Sequence, residues 1–262
     1  MSLESEPRNV PSDEARQLKP RRSAKSIVVE VAVVCAVLAV LGYLLMPRVA
    51  QVRDAGPRMQ AASNLKQIGL AMQNYDSAKG RLPPQAICDK DGNKLLSWRV
   101  AILPYIEQDT LYSKFKLDEP WDSQNNIALI SKMPLIYCSP SADRKQGLSN
   151  FKVFSGKGAV FEMEDSPQGW RSKHSIASLT ASKRGSSNLI FCVESDDPVI
   201  WSKPEDWDYP PDQPFPPMKP IYPHFFMVGK ADGSVMSVRT SVPQSAWRVA
   251  VEPESTSKES LD

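Results

Sequence analysis

The sequence predicts an α+β protein: a long N-terminal helix, transmembrane and then amphipathic, packed on an antiparallel β-sheet head. Three observations lead there. Residues 27–46 form an apolar run of bilayer length, and residues 49–75 repeat apolar side chains at helical spacing. Residues 81–240 then hold short strand-like runs between turn formers.

The N-terminal segment, residues 1–26, is polar, lacks apolar periodicity and is expected to be disordered and cytoplasmic. It carries six Lys or Arg against four Asp or Glu. Ile27 to Met46, IVVEVAVVCAVLAVLGYLLM, has one ionisable side chain in 20 residues. About 20 apolar residues cross the roughly 30 Å hydrocarbon core as a helix. A core helix of this length would show a polar face, and a signal peptide would have a shorter apolar region and a small-residue cleavage site. Arg16, Lys19, Arg21, Arg22 and Lys25 precede the run, while Arg48, Arg53, Arg58 and Lys66 follow more sparsely. That asymmetry predicts a single-pass protein of the cytoplasmic (inner) membrane, with the N-terminus cytoplasmic and the head outside. Glu30 lies a turn inside, where a carboxylate snorkels to the headgroups at small cost.

Val49, Val52, Met59, Ala62, Leu65, Ile68, Met72 and Tyr75 form the apolar stripe of the next segment, SNLKQIGLAMQNY included. Such a stripe faces a packing partner. Pro47 and Pro57 each remove a backbone donor and predict local bends. Asp76, Ser77 and Gly80 predict the stop.

In the head, Leu95 to Leu103 reads as a strand preceded by a tight turn at Asp91-Gly92 or Gly92-Asn93. Residues 102–115 suit a short helix. Further strands are expected at Leu135–Cys138, Ala159–Glu162, Asn188–Val193, His224–Val228 and Ser234–Arg239. From Ser241 the chain turns polar, and residues 241–262 read as a disordered tail.

Lys and Arg total 32 against 30 Asp and Glu, a net charge of +2. Outside residues 1–46 the balance is near neutral, which gives no electrostatic reason to bind nucleic acid. DKDGN (89–93) alternates carboxylates as calcium loops do. The twelfth position, where an EF-hand needs a bidentate acid, is Val100, so a hairpin turn is the better reading. Cys35 lies in the apolar run, and Cys88, Cys138 and Cys192 permit at most one intramolecular disulfide; buried free thiols are the simpler reading. His174 and His224 accompany no G-x-S-x-G or H-E-x-x-H motif, and no C-x-x-C exists. No catalytic residue, metal ligand or cofactor is therefore assigned.

Nine of the 26 residues from Pro198 to Pro223 are proline. Trp201, Trp207 and Tyr209 are interleaved with Asp206 and Asp208. The favoured reading is an extended loop whose aromatics pack over the sheet. The sharper one is a recognition surface for a glycan or a partner, joined by Trp121 of LDEPWDS.

Several of these motifs together resemble a known family. Arg58-Met59-Gln60 and Asn64 to Ala71 match a stretch close to RMQxxNNLKQIGLALHNY. LPP (82–84), SWRVAILPYIEQ (97–108), LDEPWDSQNN (117–126), MP-x-x-Y-CSPS (133–141), WSKPEDWDY (201–209) and ADGSV (231–235) follow in order. The chain resembles the type IV pilin-like proteins, and more specifically the planctomycete family known as domain of unknown function 1559. The resemblance implies a pilin-like or pseudopilin-like head over residues 47–240, with structural calcium in some pseudopilins. It also aligns Glu30 with the carboxylate that pairs with a neighbouring subunit's N-terminal amine during assembly. Lys25 then stands where the family's cleaved Gly belongs and Ser26 where its Phe belongs, so the cleavage motif is degenerate and the chain is expected to stay unprocessed; no amine is then created beside Glu30, whose charge is either an assembly contact or a relic.

The expectation is a non-enzymatic, membrane-anchored cell-envelope protein with a structural, assembly or secretion-related role. Its partners would be the bilayer and like subunits or other pilin-like proteins, met through the N-terminal helix. The alternative is an anchored binding module for carbohydrate or another envelope polymer.

Overall fold

The computed structural model describes residues 24–140, 147–209 and 211–261. Residues 1–23 of the expected cytoplasmic segment lie outside them, while Ala24 to Ser26 are already helical. Internal packing divides the chain into residues 1–52 and 53–262.

Helix α1 runs from Ala24 to Lys79. In the first unit its described side chains, from Val28 to Tyr43, are all exposed, valines and leucines included. The predicted span reaches beyond them, because the side chains of Ile27 and of residues 44–46 lie outside the described residues. Among the described residues no helix is long and apolar enough to cross a membrane.

In the second unit α1 buries Ala61, Leu65, Ile68, Ala71 and Met72, the 3.6-residue repeat of one helix face. Met59, expected on that face, is 74% exposed, and Ala61 occupies the buried line instead. Gly80 ends the helix with φ +72, and its N–H donates to the Asp76 carbonyl at 2.6 Å. This is the left-handed stop that glycine adopts without strain.

Strands β1 (Ala86–Cys88) and β2 (Lys94–Ser97) pair as the expected hairpin. The strand expected over Leu95–Leu103 stops at Ser97, whose side chain accepts from the Arg99 N–H and caps α2 (Trp98–Ala101). Short helices α3 (Asp109–Tyr112) and α4 (Gln124–Ile127) follow. Leu135–Tyr137 is a 3-10 turn rather than a strand; a four-residue apolar run fits either state, and packing chose.

Next come β3 (Leu148–Lys152), β4 (Phe154–Ser155), β5 (Met163–Glu164), β6 (Arg171–Ser172), α5 (Ile176–Ala181), β7 (Ile190–Ile200), β8 (Trp207–Asp208), β9 (Phe225–Lys230) and β10 (Val235–Arg239). In the expected strand Ala159–Glu162 only Phe161 makes an isolated bridge, to Ser155. The central sheet has the order β10-β9-β7-β3, antiparallel throughout.

The sheet lies directly on α1. A Cβ on Gly229 would sit 3.5 Å from Leu65, Gly69 comes within a similar distance of Gly233, and the Gln73 side chain donates to the Ala231 carbonyl. Met227 faces α1 while Phe226 and Val228 face away, as the two-residue period requires. The far face is covered by Phe154, Trp207, Tyr209 and Phe215 and by α6 (Gln244–Val251).

Helix α6 corrects the expectation of a disordered tail. Trp247 is buried edge-on against Phe226 with ring centroids 5.4 Å apart, and Ala246, Ala250 and Val251 are buried beside it. Arg184 then holds the polar end through the Ser257 and Glu259 carbonyls at 2.9 and 3.1 Å.

Candidate functional site

The Pro-rich segment packs inward. Trp201 is fully buried, its indole N–H donating to the Ile130 carbonyl at 3.0 Å, between Phe115 and Tyr137. Trp207 stacks on Phe154 at 4.9 Å, and Tyr209 is 1% exposed. The Asp206 and Arg99 side chains are both fully buried and paired at 2.9 Å. Asp206 also accepts from the Trp98 indole and the Val153 N–H, while Arg99 donates to Ser97 Oγ and the Phe151 carbonyl. Every charge in this cluster is thus matched, which a dry interior demands.

Trp201, Trp207, Tyr209 and the Asp206 side chain therefore belong to the core and offer no contact surface; burial and the Arg99 pair keep them there. Trp121 is half-buried, its ring 5.4 Å from the Lys203 ammonium. Asp208 stays on the surface, its side chain 83% exposed, and the β4–β8 parallel pair sets it opposite Ser155.

Asp208 lines the cleft that the fold does build. A cavity of about 380 Å³ lies between the β1–β2 hairpin and residues 155–170, bounded by Gln85, Lys94, Phe161, Glu162, Trp170 and Asp208 among others. Two glycines shape its walls. Gly92 (φ +85) brings the hairpin tip onto the Trp170 ring, where a Cβ would stand 2.9 Å from the indole. Gly156 (φ +123) lets its strand approach the Tyr209 carbonyl, 2.8 Å from where a Cβ would be.

The hairpin tip is held by Asp89. Its carboxylate accepts from the Asn93 side chain at 2.8 Å and from the Asn93 and Asp91 N–H groups, which holds its pKa below the usual carboxylate range. DKDGN is thus the turn expected. Among the described residues no group of three His, Cys, Asp or Glu is arranged to hold a metal.

The cleft's charges nearly cancel. Lys94 stands 3.8 Å from Asp208. Glu162 accepts from Lys173 at 3.0 Å and from the Gly158 N–H. Burial alone would raise the Glu162 pKa, but these two donors outweigh it and hold the carboxyl low and ionised. A glycosidase acid needs the opposite environment. Gln85 is 4% exposed, and its Nε2 has no hydrogen-bond partner among the described residues.

A second cavity of about 450 Å³ shares Cys88 and Trp170 with the first, and adds Tyr75, Tyr105, Tyr112 and Gln168. Tyr75 and Tyr105 meet edge-to-face at 5.4 Å. Trp170 was not legible as a site residue. The one signal is its place after the Ser166–Gly169 turn, in a stretch with no apolar periodicity to bury it.

Elsewhere, Glu30 is exposed on α1. Cys35 is exposed, Cys88 half-buried, Cys138 and Cys192 buried, and all four are free thiols. Burial pushes the Cys192 thiol pKa far up, so it is inert. A carboxylate with no sequence signal is Glu194 of β7, 1% exposed and accepting from the Ser139 hydroxyl. Burial pushes its pKa up to about 7, against the pull of the Ser139 and Tyr222 hydroxyls.

The model of a family described as "Protein of unknown function (DUF1559)" matches residues 50–205, more than half of the chain. No curated protein and no solved structure matches it.

Proposed function

The chain belongs to the family described as protein of unknown function (DUF1559), and from that premise we propose a non-enzymatic, membrane-anchored, pilin-like protein of the cell envelope. In this reading Ile27 to Met46 spans the inner membrane once, with the N-terminus cytoplasmic and the head on the other side. Like helices, or those of other pilin-like proteins, associate laterally along the span in an assembly or secretion-related role.

The observation that carries the reading is the surface of α1 in the first unit. Val28, Val29, Val31, Val33, Val34, Val37, Leu38, Val40 and Leu41 are each about half exposed or more. A continuous apolar surface all round a helix is costly in water and costless in lipid. Gly42 has nothing within 4 Å of a virtual Cβ, and with Ala36 and Ala39 it leaves room for close approach of a second helix. Glu30 is the assembly candidate on the same segment. Lys25 and Ser26, in place of the family's Gly and Phe, support a chain that keeps its N-terminus.

Fractionation of the full chain tests this. The expected result is retention in membranes after alkaline carbonate washing, release by detergent, and an intact N-terminus by mass spectrometry. Full solubility in buffer without detergent overturns the anchor. A mature protein starting at Ser26 overturns the unprocessed state.

A further inference from the structure

We infer that the surface where α1 meets residues 105–108 and 134–136 binds the same surface of a second copy, forming a two-fold pair. The inference rests on the proposed association of like copies, extends it to the second unit, and names Lys66 and Glu107 as the mutual contacts.

The surface is apolar at its centre. Leu70 is 56% exposed and Leu135 78%, and Met59 lies three turns before Leu70 on the same exposed face of α1. Large apolar side chains gathered at one place in water mark an interaction surface. Leu70 and Leu135 line a cavity of about 530 Å³, and a second of about 320 Å³ shares Gln67, Leu135 and Ile136 with it. Glu107 is the one charged side chain lining either.

Glu107 is also the one non-glycine residue with positive φ among the described residues, at φ 61 and ψ 30, where it closes the 3-10 turn Leu103–Ile106. Glycine makes that left-handed stop without strain. The glutamate carboxylate is exposed, and no hydrogen bond or ion pair among the described residues offsets its strained backbone. Lys66 on α1 is likewise exposed and unpaired.

The two charges flank the apolar centre. At about 100° per residue, Leu70 lies between Gln67 and Lys66 around the helix, and Asn64 lies beyond Gln67 on the other side. Asn64 donates to the Cys138 carbonyl, so the cavity wall stands on that side and Lys66 faces away from it. Glu107 and Gln67 line the same cavity, which sets both charges at one level along α1.

A two-fold axis running beside α1 at Leu70 therefore brings the Lys66 of each copy over the Glu107 of the other. Copies that share one membrane stand parallel, the orientation such an axis gives. A closed pair matches every charge, whereas a head-to-tail contact leaves one Lys66 and one Glu107 open at its ends. Exposed ion pairs contribute little, so Met59, Leu70 and Leu135 supply the contact while the pairs fix its register.

Sedimentation of the full chain in a zwitterionic detergent measures the pairing, and zero-length carbodiimide coupling identifies the contact. We expect a dimer whose Lys66–Glu107 link joins different chains, read by mass spectrometry on mixed light and heavy-isotope copies. Lys66→Glu and Glu107→Lys should each raise the dissociation constant about tenfold. An equimolar mixture of these two variants should pair like the wild type, because both contacts are then matched again. Leu70→Ser, which changes no charge, should weaken pairing as well. Circular dichroism and the melting temperature show that each variant is folded. A chain monomeric at about 100 μM, a link confined to single chains, or a mixture that stays apart overturns the inference. Dimers that survive in both charge variants overturn this contact and leave association along the span standing. A Lys66–Glu107 ladder larger than a dimer overturns the two-fold closure.

Discussion

Asp206 and Arg99 show how much one pair of residues decides. They stand 107 positions apart, and their contact draws the segment that carries Trp201 and Trp207 against the sheet. Asp206→Ala leaves a buried guanidinium with only the neutral Ser97 hydroxyl and Phe151 carbonyl as partners, a loss of about 3–5 kcal/mol. In thermal unfolding the double variant Arg99→Met/Asp206→Leu should recover most of that loss, because the uncompensated charge is gone. Glu194 is the residue where pH acts. Its native pKa of about 7 lies above the ordinary 4.5. Between those values the native state keeps a proton that the unfolded chain has lost, so stability falls as pH rises through that window and levels off above it. The expected difference is on the order of 3 kcal/mol. Glu194→Gln should flatten the pH dependence and melt higher than wild type at pH 8, with little change at pH 4. A wild-type melting temperature that rises between pH 5 and 7 would contradict this account.

At the scale of elements, α1 carries the readable pattern. Its 3.6-residue repeat is a local property, so Leu65, Ile68 and Met72 could be placed on the buried face before any tertiary contact was known, and Gly80 could be placed at its end. The β1–β2 turn and strands β9 and β10 were legible for the same reason, since turn chemistry and two-residue alternation are written in neighbouring residues. The failures are equally physical. Leu135–Tyr137 is too short for periodicity to choose between a turn and a strand. In SAWRVAV the apolar spacing of Trp247, Ala250 and Val251 was present, but the polar residues after it masked a helix whose stability comes from Phe226 across the interface. If α1 assembles laterally, its exposed Cys35 reports it. Copper-phenanthroline oxidation of native membranes should give a covalent dimer, absent in Cys35→Ser. A purely monomeric pattern at membrane concentrations would argue against association along this face.

For the whole molecule, the sequence alone determined the family, the α+β class, the apolar segment at 27–46 and the helix face that meets the sheet. Each of these depends on residues within a few turns of one another, or on composition. Tertiary structure decided which aromatics are core and which line a site. Trp201 and Trp170 are indistinguishable as letters. One is enclosed by Phe115, Tyr137 and the Ile130 carbonyl, and the other stands over Gly92 beside an open cavity. The cleft itself gathers Gln85, Lys94, Phe161, Trp170 and Asp208 from three separate stretches of chain. Burial is a property of where those stretches meet, and their meeting is fixed by long-range packing that no local pattern encodes.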